Sequence, residues 1–176
     1  MIVEFGHFAL VLSVLAAAFQ TLVPAYGAYR NDARLMEFGG AAAVSQLFLI
    51  LISFVALTHA YVVSDFSVAN VFANSHSTKP LIYRISGVWG NHEGSMLLWV
   101  LIVALFGAAV ALFGSNLPAT LRANVIAVQG AIGLAFTLFI IFTSNPFERL
   151  VPAPFDGKGL NPILQDPALA FHPPFL

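Results

Sequence analysis

Histidine is the side chain of this sequence best suited to hold a metal or move a proton near neutral pH, and five are present: His7, His59, His76, His92 and His172. His92 stands beside Glu93 in Trp89-Gly90-Asn91-His92-Glu93-Gly94-Ser95. A carboxylate can orient an imidazole and raise its basicity, as the partners behind metal ligands do. Adjacent residues seldom point the same way, however, so a structural reading stays open, with His92 hydrogen bonding a glycine-rich turn. Gly87, Gly90 and Gly94 let the backbone fold back there. His172 stands in Phe171-His172-Pro173-Pro174-Phe175. Two prolines fix φ and remove two backbone donors, which makes a stiff apolar pedestal for a flat apolar ligand with a metal centre. Haem, which histidine ligates, fits that description.

The other three histidines have plainer settings. His7 sits at a helix mouth, and His76 lies in the turn Asn74-Ser75-His76-Ser77. His59 lies near the end of an apolar run, where an ionisable group is a functional suspect but an interfacial position is the favoured explanation.

The elements that must position these groups are membrane helices. Of 176 residues, 59% are hydrophobic and 9% charged, against about 25% charged in soluble domains. A net charge of −1 gives no basic stripe for nucleic acid, and the absence of cysteine excludes disulfides, thiolate metal sites and a Cys nucleophile. Four apolar runs, 6–29, 40–63, 95–113 and 124–143, meet the length of ~20 residues needed to cross a bilayer. Glu4 and His7, with no Lys or Arg ahead of the first run, favour a retained span over a signal peptide. The expected fold is all-α and polytopic, with four transmembrane helices in a membrane domain 1–143 and short interfacial helices in two outer-face loops, 64–94 and 144–176.

Tyr26, Tyr29 and Tyr61 suit the aromatic belt at the headgroups. Gln20, Ser45, Gln46, Gln129 and Thr137 are polar at membrane depth and should face one another rather than lipid. Ala104, Gly107, Ala108 and Ala111 on the third span, with Gly130 and Gly133 on the fourth, predict a closely packed hairpin of those two helices. In the loop 64–94, Val68, Val71 and Phe72 share one helical face and Leu81, Ile82, Ile85 and Val88 another. Thr78 is the expected cap of the second loop helix, with Pro80 in its first turn. The proline-rich tail predicts extended segments and turns. Arg30, Arg34 and Arg122 are denser in the short turns than the basic residues are in the long segments, which predicts cytoplasmic short turns and both termini outside.

With these residues in view, the sequence resembles the N-terminal part of the CcmF family, the haem lyase subunits of cytochrome c maturation, and their NrfE paralogues. The likeness covers essentially the whole chain. It is carried by Met1-Ile2-Val3-Glu4-Phe5-Gly6-His7, Ser64-Asp65-Phe66-Ser67-Val68, Val88-Trp89-Gly90-Asn91-His92-Glu93-Gly94-Ser95, Thr143-Ser144-Asn145-Pro146-Phe147, Leu160-Asn161-Pro162-Ile163-Leu164-Gln165-Asp166 and Phe171-His172-Pro173-Pro174. The resemblance implies an inner-membrane protein that receives haem b, as a transient substrate, from the chaperone CcmE on the periplasmic face. With CcmH it would direct attachment to the Cys-x-x-Cys-His of apocytochrome c. His172 corresponds to an axial haem ligand, with Trp89, His92, Pro173 and Pro174 as supports. The family's tryptophan-rich platform, second outer histidine and two membrane histidines lie in a remaining C-terminal part, so this piece is expected to be inactive alone. Two other readings compete: a structural piece of the lyase without haem binding of its own, and a transporter subunit. The second lacks support, because the span interiors hold no Asp, Glu, Lys or Arg.

Overall fold

A computed structural model describes residues 1–171 of the chain. It is helical: α1 (Ile2–Arg30), α2 (Ala33–Val62), α3 (Ala69–Asn74), α4 (Leu81–Gly87), α5 (His92–Phe113), α6 (Ala119–Thr143) and α7 (Pro167–Phe171), with single 3-10 turns at Gly114–Asn116 and Pro162–Gln165. Among the described residues there is no strand, only an isolated antiparallel bridge between Val68 and Arg149. Helices α1, α2, α5 and α6 are long and apolar enough to cross a membrane. At 1.5 Å per residue, helices of 22 to 30 residues reach about 33–45 Å, which exceeds the ~30 Å of hydrocarbon.

Each long helix starts ahead of its apolar stretch, and at α2 and α5 a capping side chain rather than hydropathy sets that start. The first joint is the clearest case. Asn31 adopts the left-handed conformation at φ 53° and closes α1, and the Asp32 carboxylate accepts from the amides of Arg34 and Leu35 at 2.9 and 3.3 Å to open α2. The expected turn 30–39 therefore shrinks to two residues, and Arg34 and Glu37 ride on helix. Likewise α6 starts just after Pro118, where a missing N–H costs nothing.

The four long helices form a bundle in which α1 packs on α2 and α6, and α5 packs on the same two from the opposite corner. The expected α5–α6 contact is present, and Gly107 of α5 faces Gln129 of α6, where a Cβ would lie 3.5 Å from Gln129 Cβ, but the glycines of α6 serve a different purpose from the one their spacing suggested. A Cβ on Gly130 would lie 3.0 Å from Gln20 Cγ, and one on Gly133 would collide with the Gln46 amide. The glycines of α6 thus receive the glutamines of α1 and α2. Gln20, Gln46 and Thr137 are fully buried between helices as expected, and Gln20 Nε2 donates to the Ile126 carbonyl at 3.1 Å. Ser45 departs from expectation: it is exposed and donates to Ala41 O of its own helix at 2.9 Å, a local bond that satisfies the hydroxyl without a neighbour.

At one end of the bundle the segments 63–91 and 144–171 fold over the helix ends and add Phe66, Val68, Val71, Val88 and Phe147 to the core. Tyr61 belongs to this core too. It is 0% exposed, not a headgroup anchor. Thr78 does not cap α4, whose N-cap is Pro80 without a side-chain bond; its hydroxyl lies 3.0 Å from His76 Nδ1 instead. Leu81 and Ile82 are exposed while Val88 is buried.

Candidate functional site

The start of α5 is built by one asparagine. Asn91 has extended backbone, and its Oδ1 accepts from Gly94 N at 2.9 Å, capping the helix. Its Nδ2 donates to Gly87 O, Val88 O and the Tyr61 hydroxyl at 2.8, 3.1 and 3.1 Å. Asn70, on α3, donates from Nδ2 to Asn91 Oδ1 at 2.8 Å and to Glu93 Oε2 at 3.2 Å, and accepts from Tyr61 Oη at 2.6 Å. Tyr61, Asn70, Asn91 and Glu93 thereby join α2, α3 and α5 through partly and fully buried polar atoms that would be costly if unpaired. Gly94 has no freedom to change, because a Cβ there would collide with Val88 O.

The same turn splits His92 from Glu93, so the carboxylate does not orient the imidazole. Glu93 faces Asn70, whereas His92 Nε2 lies 3.0 Å from Ser144 Oγ at the end of α6 and meets the Phe139 ring edge-on at 6.3 Å. His92 bridges two helix ends. It remains exposed.

Trp89 sends its indole the other way. Its Nε1 donates to Ala170 O at 2.8 Å, which draws the tail beneath the turn. Between them opens a cavity of about 330 Å³ lined by Ser86, Trp89, Gly90, Asn91, His92, Leu160, Leu164 and Ala170. That volume lies at the lower end of small-molecule sites. Of the residues singled out in the sequence, Trp89 and His92 come together here; His172, Pro173 and Pro174 lie outside the described residues.

The remaining histidines stay apart. The His7 ring stacks on Phe147 at 5.9 Å, His76 pairs with Thr78 and lies 3.5 Å from Asp156, and His59 is exposed on the bundle wall. Among the described residues no group of three His, Cys, Asp or Glu could hold a metal ion.

Charged groups clamp the tail to the loop. Arg149 reaches Glu4, Asp65 and Ser67, the Asp65 contact being 3.0 Å. Partial burial would raise the Asp65 pKa, but the Ser67 and Arg149 hydrogen bonds outweigh it and hold the carboxyl below its ordinary value. Asp156 accepts from Ser77 N and Oγ at 3.0 and 2.6 Å, and those bonds lower its pKa. Lys79, 6% exposed, donates to Asn74 O at 3.1 Å. Burial first, and the Arg84 charge second, push its pKa down to about 8.

Sequence reading passed over Asn70, Tyr61 and Arg149 as site builders. Asn91 carried a legible signal, a capping residue opening an apolar run. Asn70 carried none, because the groups its amide donates to, on Asn91 and Glu93, lie 21 and 23 residues away.

Trp89, the first residue of this turn, is also where a family model begins: residues 89–176, half of the chain, match the model described as Cytochrome C assembly protein. The chain belongs to the cytochrome c assembly protein family. It is 59% identical over its whole length to the cytochrome c-type biogenesis protein ccl1 of Rhodobacter capsulatus and 60% identical to CycK of Rhizobium meliloti. It is 43% identical to CcmF of Escherichia coli. It covers 27%, 26% and 27% of those three proteins and corresponds to their N-terminal part. Its fold also matches a solved structure of the cytochrome c heme lyase CcmF, with a TM-score of 0.77, 24% identity, and coverage of 84% of this chain and 25% of that one.

Proposed function

We propose that this chain is the N-terminal part of a haem lyase that takes haem b, as a transient substrate, from the chaperone CcmE on the periplasmic face of the inner membrane. With CcmH it presents that haem to the Cys-x-x-Cys-His of apocytochrome c. In this reading His172 is an axial ligand stiffened by Pro173 and Pro174, and Trp89 and His92 wall the approach. The observation that carries it is the Trp89–Ala170 hydrogen bond at 2.8 Å, two residues before His172, beside an open cavity with an indole and an imidazole in its wall. Support for the orientation comes from the dense arginines of the short turns, which favour the cytoplasmic side.

The test is His172→Ala in the complete lyase, read by haem staining of a client cytochrome c. Maturation should fall to background while the protein accumulates and inserts normally. Maturation at the unaltered level would refute the ligand role and leave this part of the chain a structural one.

A further inference from the structure

We propose that the segment 150–155 is a membrane-dipping knuckle that seats the tail in the outer half of the bilayer. Leu150-Val151-Pro152-Ala153-Pro154-Phe155 carries no charge, and it points its apolar side chains away from the protein, with Val151 92% and Phe155 103% exposed. Such residues at the tip of a slack loop would mean little. Here both ends are pinned: Leu150 N donates to Ser67 O at 2.8 Å next to the Arg149 cluster, and Asp156 holds Ser77 on the far side.

The pins also fix the height of the segment. Arg149 grips Glu4, in the first turn of α1, and Phe147 stacks on His7 one turn further in, so the knuckle leaves the protein at the level where the spans end. Asp156 ties its other end to Ser77, just ahead of α4, whose Leu81 and Ile82 are exposed as well. Arg84 of α4 in turn donates to Val62 O, the last residue of α2. Both apolar projections therefore continue the exposed apolar belt of the spans, which reaches Val63 at 54% exposure. Aromatic and aliphatic side chains at that depth partition into the headgroup and acyl boundary. Proline suits the place too, since it has no backbone donor to desolvate. The occupant of this surface is thus lipid.

The chain has no cysteine, so a single introduced one is a unique probe. Val151→Cys, Phe155→Cys and, as a reference, exposed Ala168→Cys would be labelled with an environment-sensitive fluorophore and reconstituted in phosphatidylcholine vesicles. At 151 and 155 we expect quenching by lipid spin-labelled near the headgroup, and iodide quenching about threefold or more below that at 168, as for side chains sunk ~5–10 Å into the interface. Iodide quenching equal to that at 168, with no lipid quenching, would show the knuckle in water and overturn the proposal. Protection from both quenchers would show it covered by protein, such as a second copy, and would overturn it equally.

Discussion

The indole of Trp89 and the carbonyl of Ala170, 81 residues apart in the chain, are joined by a 2.8 Å hydrogen bond. That bond and the packing of Leu160 against Gly90, where a Cβ would come within 3.2 Å of Leu160 Cδ1, hold the tail against the turn that starts α5. Replacing Trp89 by Phe keeps most of the ring but removes the donor, leaving Ala170 O without it. A hydrogen bond of this kind is worth about 1 kcal/mol. The tail should therefore open roughly five times more often, read as faster amide exchange in 160–171 with the α5 and α6 amides unchanged. Unaltered tail exchange would show that the bond does not hold the segment.

Gly94 and Gly40 should respond oppositely to a methyl group. Gly94→Ala drives a Cβ into Val88 O, whereas Gly40→Ala meets only Ala111 Cβ at an ordinary 3.7 Å. Moving the Val88 carbonyl would disturb the Asn91 bonds to Gly87 and Val88, so a cost of about 3 kcal/mol or more is expected. Gly94→Ala should fail to accumulate in membranes and Gly40→Ala should accumulate normally. Equal accumulation of the two would contradict the geometry of the turn.

Gln46 and Gly133 should compensate each other. Neither amide atom of Gln46 has a hydrogen-bond partner among the described residues, and the side chain is 1% exposed. Gly133→Ala alone should destabilise the bundle by about 1–3 kcal/mol through overpacking. Adding Gln46→Ala opens the space and should recover at least half of that loss in a detergent unfolding assay. Strictly additive effects would mean that the two residues do not share the site.

Lys79 gives a pH dependence of definite sign. Its folded pKa of about 8 lies below the ordinary 10.5, so between those values the unfolded chain binds more protons than the folded one. Stability must then rise with pH across that window. The cost of the buried charge is present in full below pH 8. Lys79→Met should raise the melting temperature at pH 7 and flatten the rise between pH 8 and 10. A wild-type melting temperature that falls over this range, with no difference in slope for Lys79→Met, would rule out this account.

The sequence by itself determined the membrane fold. Apolar runs of helix length have no other stable solution where water is absent, since every backbone polar group must be satisfied within its own segment. It also picked out Trp89 and His92, because indole, imidazole and glycine gathered in a short stretch are legible without coordinates. Helix starts were less legible: Asp32 opens α2 well ahead of its apolar run by capping, a local bond that an apolar window does not see. What only the tertiary structure decided was which residues the polar groups would find. Glu93 turned from His92 to Asn70, His92 went to Ser144, Tyr61 left the headgroup belt for the core, and the glycines of α6 received Gln20 and Gln46. Spacing along one helix states which side chains share a face. The residue that fills the facing groove comes from helices tens of residues away, and is fixed only when the bundle closes.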